Sequence, residues 1–219
     1  MTALRRYWLA LLFAGSAFAI AGLYYGRLPE RIPVHWNLYG GADGWMPKRA
    51  GAFALPLTAL ILTGLLIAVA PKKTNESNSG SMPRVYPTIV AAIAAFLFYV
   101  TIMVVSVGMG MELSVPSYLS IGLGVLLTVI GNSLGKITRN RIVGIRTPWT
   151  LASEEVWFRT HRVGGWLLVL AGFAATVAGL LGRGTAFAVS AVIAAATVLT
   201  VYSFVISRRL DRGNPKKQQ

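Results

Sequence analysis

Cysteine is absent from the 219 residues, which excludes disulfides and thiolate-bound metals. Acidic residues are scarce as well, with 7 Asp and Glu against 21 Lys and Arg. Charged residues of both signs reach only 13%, where a soluble domain carries about a quarter. The shortage points to a membrane as solvent, in keeping with 55% hydrophobic residues and a mean hydropathy of +0.61. Histidine occurs twice, at His35 and His161. No HExxH, GxSxG or paired carboxylates within an apolar run appears, so the familiar hydrolase and metalloprotease sites lack their residues. A hydrolytic site built from His161 with Glu154 or Glu155 is conceivable, but helix capping explains that spacing better. The chain reads as a non-enzyme without cofactor or metal.

Six runs free of Asp, Glu, Lys and Arg stand out: Tyr7–Tyr25, Gly51–Ala70, Tyr86–Val107, Tyr118–Leu134, Gly164–Leu181 and Thr185–Ile206. Each approaches the roughly 20 residues that carry a helix across ~30 Å of hydrocarbon. Backbone groups in lipid must be satisfied within the segment, so these runs are expected to be helices. The alternation of a membrane barrel is missing. Arg5-Arg6, an apolar run and Ala17-Phe18-Ala19 imitate a cleavable signal, yet the run continues to Tyr25, and retention as a helix is expected. The fold class is therefore all-α: a polytopic membrane protein with six transmembrane helices in a compact bundle. Gly131 with Gly135, and Ala175 with Gly179, offer small residues four apart for helix contact.

Charge placement orients the chain. With the N-terminus inside, 16 Lys and Arg lie on the cytoplasmic side and 5 outside, so both termini are expected in the cytoplasm of a bacterial inner membrane. This asymmetry explains most of the net charge of +14 and removes the need for a nucleic-acid partner. The expected organisation is an N-terminal helix pair over 1–70 with an outer loop at 26–50, and a Ser/Asn-rich linker at 71–85. A four-helix region follows over 86–207 with an inner loop at 135–163, and a basic tail occupies 208–219.

The outer loop, GRLPERIPVHWNLYGGADGWMPKRA, is dense in Pro and Gly, so a defined but non-helical structure is expected. Trp36, Tyr39 and Trp45 form either a lid on the bundle or an aromatic belt at the headgroups. His35 is read as a structural hydrogen-bonding residue rather than a metal ligand.

In the inner loop, Thr150 or Ser153 can cap a helix with Glu154 and Glu155 in its first turn and Arg159 and Arg162 in its last. Glu155 can pair with Arg159, and Trp157 can pack on His161, each four residues on. That aromatic face is expected on the membrane surface or the bundle floor. Gly144 and the Thr147-Pro148 step predict irregular or re-entrant chain over 136–147. Lys136, Arg139 and Arg141 read as positive-inside charges, or as holders of anionic headgroups. Arg146, beside an ordered turn, is expected to bond carbonyls or a ligand.

The run GNSLGKITRNRIVGIRTPWTLASEEVWFRTHRVGG resembles the signature of the SdpI-like family of bacterial integral-membrane immunity proteins. The matching positions are Asn132, Gly144, Ile145, Arg146, Thr147, Pro148, Trp149, Thr150, Trp157, Thr160 and His161. The outer loop resembles the family's N-terminal domain at Pro29, Pro33, His35, Asn37, Gly40, Asp43, Gly44 and Lys48. The resemblance implies self-protection against a secreted, membrane-active peptide toxin, with a cytoplasmic transcriptional regulator as a further partner beside the lipid bilayer. Within that reading Arg146 anchors the turn, Trp149 and Trp157 offer contact surface, and His161 orients or bonds the Thr150 region. Glu155 completes the inner set, while Pro33, His35, Asn37 and Asp43 shape the outer mouth and Lys48 sits near the headgroups. The alternative is a small-molecule or peptide transporter, which is disfavoured because none of the six runs contains Asp, Glu, Lys, Arg or His.

Overall fold

The computed structural model describes residues 3–37, 39–70, 82–140 and 142–212. Among the described residues, six helices are long and apolar enough to cross a membrane: α1 (Ala3–Tyr24), α2 (Lys48–Ala68), α3 (Met82–Gly108), α4 (Val115–Leu134), α6 (Glu154–Leu180) and α7 (Thr185–Arg212). A five-residue helix, α5 (Pro148–Ala152), precedes α6. The linker expected at 71–85 falls largely outside the described residues, with α3 beginning at Met82. The tail beyond Arg212 also lies outside them.

The fold is not purely helical. After a short 3-10 turn at Tyr25–Arg27, strands β1 (Arg31–Trp36) and β2 (Ala42–Pro47) pair antiparallel. Two prolines in six residues of loop deny a helix, and the two-stranded ribbon leaves Pro33 on an edge, where its missing N–H costs no ladder bond. Gly40, at φ +90°, turns the hairpin. The defined structure expected of this loop is present, and its strands correct the all-α expectation.

Buried apolar side chains gather at the two ends of the bundle. Near the hairpin, Leu28 and Ile32 pack with Ala52, Met103, Val104 and Val115. At the opposite end, Tyr7, Tyr86, Val90, Leu134, Ile137 and Trp157 form a second cluster. α1 packs on α2 and α3, while α4 packs most extensively on α6, which also meets α7.

The α4–α6 crossing is built on glycine. A Cβ on Gly131 would lie 2.8 Å from the Gly165 carbonyl oxygen, and one on Gly124 would lie 2.5 Å from that of Gly172. A Cβ on Gly179 would meet the Ser117 carbonyl at 2.7 Å. Gly124 and Gly131 are seven apart, as are Gly165, Gly172 and Gly179, so two antiparallel helices touch backbone to backbone once every two turns. Without a hydrophobic force between helices in lipid, such close approach supplies the packing energy. Ser120 adds a buried hydrogen bond across the same seam, donating to the Ala175 carbonyl at 2.9 Å.

Candidate functional site

The inner loop is ordered by one asparagine. Asn140 Oδ1 accepts from the N–H groups of Ile142 and Val143 at 2.7 and 2.8 Å. Its Nδ2 donates to the Thr138 and Val143 carbonyls. All four hydrogen bonds are local, so this side chain replaces secondary structure over the irregular stretch between α4 and α5.

Thr147 then starts α5 through a reciprocal cap. Thr150 N–H reaches Thr147 Oγ1 at 3.3 Å, and Thr147 N–H reaches Thr150 Oγ1 at 2.9 Å. Pro148 occupies the first helical position, where no N–H is needed. The expected turn is thus a short helix. Trp149 fastens it to α7: its Nε1–H donates to Ser203 Oγ at 2.6 Å, and its ring meets Phe204 edge-on at 5.3 Å. Ser153 accepts from Val156 N–H and caps α6, as expected.

α6 runs unbroken for 27 residues. The surface helix expected to end near Arg162 and the fifth span are one element, because nothing between Glu154 and Gly164 interrupts helical hydrogen bonding. His161 is therefore inside a candidate span, which corrects the expectation that the spans hold no Asp, Glu, Lys, Arg or His. Counting back from Leu180 at 1.5 Å per residue, it lies about 28 Å along the helix, near one edge of the hydrocarbon.

Trp157 and His161 do pack together, their rings stacked at 3.9 Å. Both are buried rather than displayed, which decides for the bundle floor over the membrane surface as the place of this face and, for Trp157, overturns the accessible contact surface. Trp157 Nε1–H donates to the Ile137 carbonyl at 2.8 Å. His161 Nε2 accepts from Ile145 N–H at 2.9 Å, and Nδ1 lies 2.9 Å from the Trp157 carbonyl. The two contacts together require the neutral imidazole with its proton on Nδ1. Thr150 Oγ1 donates to the Ile145 carbonyl at 2.7 Å. His161 and Thr150 therefore grip the two sides of Ile145, so the expected link between them runs through backbone. Gly144 lies over the stack at φ +124°, where a Cβ would come 2.3 Å from His161 Nε2. Thr160 is fully buried, and its hydroxyl has no hydrogen-bond partner among the described residues.

Arg146 does not anchor this arrangement. Its side chain is exposed and, among the described residues, makes no hydrogen bond or ion pair. Arg139 anchors it instead, donating to the Leu151 carbonyl at 3.1 Å and lying 3.7 Å from Glu154. Glu155 pairs with Arg159 as expected, on an exposed face. Asn132 is exposed on α4, one turn from Lys136.

The outer residues form a second cluster at the other end of the bundle. His35 Nδ1 and Asp43 Oδ1 bond across the hairpin at 2.5 Å. Asn37 Oδ1 accepts from Tyr39 and Gly41 N–H groups, closing the turn. Pro33 is buried opposite Trp45, and Lys48 Nζ lies 5.1 Å from the Tyr25 ring centre. Trp36 packs onto the core while Tyr39 and Trp45 stay exposed, so the three aromatics do not form a single lid. A pocket of about 400 Å³ opens beneath β1 between α2 and α3, lined by His35, Trp36, Met46, Leu55, Val104 and Leu119 among others. Among the described residues, no three His, Asp or Glu side chains gather in a way that could hold a metal.

Neither Asn140 nor Ser203 stands out in the sequence as a site residue, and Arg139 reads there as a positive-inside charge or a holder of anionic headgroups. Asn140 had a readable signal, since an Asn before a short irregular run is Asx-turn chemistry. Ser203 lies in an apolar run with nothing local to mark it.

Residues 136–207 match the model of the SdpI/YfhL protein family, and residues 12–60 match a domain of unknown function (DUF1648). The first match takes in the inner loop, α5, α6 and most of α7; the second spans the later part of α1, the hairpin and part of α2. Immunity protein SdpI of Bacillus subtilis (strain 168) is 26% identical over 167 residues, covering 75% of this chain and 77% of that protein. No solved structure matches the chain. By its inner loop and the helices that follow it, this multi-pass membrane protein is similar to the SdpI/YfhL protein family, whose model it matches over residues 136–207.

Proposed function

We propose that this chain is a bacterial inner-membrane immunity protein that protects its cell from a secreted, membrane-active peptide. The observation that carries the reading is its similarity to Immunity protein SdpI over three-quarters of both chains. The excess of Lys and Arg in the inner segments supports both termini in the cytoplasm, which turns the β1–β2 hairpin outward. There, exposed Tyr39, Trp45 and Met46 and the pocket beneath β1 offer apolar surface to a hydrophobic peptide at the membrane interface. The chain acts by binding and not by catalysis.

The inner turn supplies the second half of the reading. Arg146 and Pro148 are exposed on a rigidly capped element, a surface suited to a cytoplasmic regulator. The N-terminal unit, residues 1–70, would receive the peptide, and residues 86–207 would carry the inner surface.

Cells lacking the protein, and the same cells complemented, are to be challenged with the host's own secreted hydrophobic peptides. Protection that returns with the intact chain, and fails with Trp45→Ala and Met46→Ala together, is the expected result. Equal sensitivity of deleted and complemented cells to every such peptide would sink the immunity reading. Peptide movement across vesicles containing only this protein would favour the transporter instead.

A further inference from the structure

A groove of about 590 Å³ lies between α3, α4 and α6, at the inner-loop end of the glycine crossing. Gly131, Gly135 and Gly165 contribute backbone to its lining, so small residues keep this part of the groove empty. Its lining is ordered by depth. On α4 and the residues after it, Thr128, Asn132 and Lys136 succeed one another at four-residue steps; on α6, Val169, Trp166 and Arg162 run the opposite way. Because Gly131 sits against Gly165, Lys136 and Arg162 share the outermost level. Asn132 and Trp166 come about one turn deeper, and Val129 and Val169 deeper again.

Three features separate this groove from ordinary positive-inside charge. Arg139 and Arg159 are engaged with Glu154 and Glu155, whereas Arg162, exposed, has no ion pair among the described residues. Asn132 is an exposed amide near the end of an apolar span, with no hydrogen-bonding partner among the described residues, a costly arrangement against hydrocarbon alone. Trp166 is 68% exposed beside it, where an indole suits the headgroup level. Cations at the mouth, an amide and an indole below, and a floor of Val129 and Val169 beside Thr128, whose hydroxyl is bonded to the Gly124 carbonyl, are the pattern of an amphiphile with an anionic head.

We propose that this groove is a binding site for an anionic phospholipid. Lys136 and Arg162 hold its phosphate, Asn132 bonds the phosphate or the glycerol esters, and an acyl chain runs along Val129 and Val169. The proposal does not depend on the immunity reading.

The full chain in neutral detergent is to be titrated with phosphatidylglycerol and with phosphatidylcholine, and bound lipid counted by native mass spectrometry. Phosphatidylglycerol should bind preferentially, and Lys136→Gln with Arg162→Gln should weaken it roughly ten- to thirtyfold. The charge-conserving pair Lys136→Arg and Arg162→Lys should retain the preference, which guards against misfolding as the cause. Arg146→Gln, a cation outside the groove, should leave binding unchanged. Equal binding of the two lipids, or an equal loss in Arg146→Gln, would overturn the site. Inorganic phosphate that displaces the lipid at millimolar concentration would overturn the lipid as its occupant.

Discussion

His161 Nε2 and the backbone N–H of Ile145 meet at 2.9 Å, sixteen residues apart in the chain. This bond joins α6 to the inner turn, and His161→Ala removes the acceptor while leaving a partly buried N–H behind. A stability loss of about 1–3 kcal/mol is expected, read as a lower thermal transition in detergent and a changed Trp157 environment in fluorescence. An unchanged transition would mean that the turn holds without its histidine.

Gly144→Ala attacks the same contact from the other side. A Cβ there falls on His161 Nε2 and demands φ +124° of an L-residue, so at least about 1–2 kcal/mol should be lost. Gly22→Ala, with nothing within 4 Å of the new Cβ, should leave the transition in place or raise it slightly.

Arg146 and Arg139 should separate function from folding. Arg146→Ala should insert and melt like the parent chain while failing to protect cells, because the side chain is exposed and bonds nothing among the described residues. Arg139→Ala loses the bond to the Leu151 carbonyl and should lower stability by about 1 kcal/mol or less at this exposed position. Full protection by Arg146→Ala in complemented cells would remove the inner turn from the functional site.

Gly172→Leu should be the most damaging single change to the bundle. Even a methyl there comes 2.5 Å from the Gly124 carbonyl and 2.7 Å from the Thr128 backbone nitrogen, so α4 and α6 must separate. Losses of about 1–3 kcal/mol or more are expected from overpacking alone. Cross-linking between cysteines placed at Ser120 and Ala175 would report the separation directly.

Trp149→Phe keeps a ring against Phe204 but loses the bond to Ser203. Each of Trp149→Phe and Ser203→Ala should cost about 1 kcal/mol, and the double variant little more than either alone. Additive losses would show that the hydrogen bond does not couple α5 to α7.

Much of this protein was legible in its order of residues. Six apolar runs specify six helices because lipid leaves the backbone no other way to satisfy its polar groups. The cap at Ser153, the Glu155–Arg159 pair and the Trp157–His161 stack are local, four residues or fewer apart, so sequence spacing determines them; the Thr147 cap is equally local, but its Thr-Pro step reads in the sequence only as a break. The outer loop was legible as ordered, though not as strands, since hairpin pairing depends on which residues a turn brings opposite one another.

Only the tertiary structure decided the rest. Glycines seven apart become a seam only when a second helix places its own at matching height, as Gly131 meets Gly165 and Gly124 meets Gly172. Arg139 rather than Arg146 holds the loop because of where Asn140 bends the chain, a position no spacing rule supplies. The burial of Trp157 and His161 follows from Ile137 and Gly144 folding back over α6. These are contacts between segments distant in the chain, and only their packing fixes which polar groups are used up inside and which face outward.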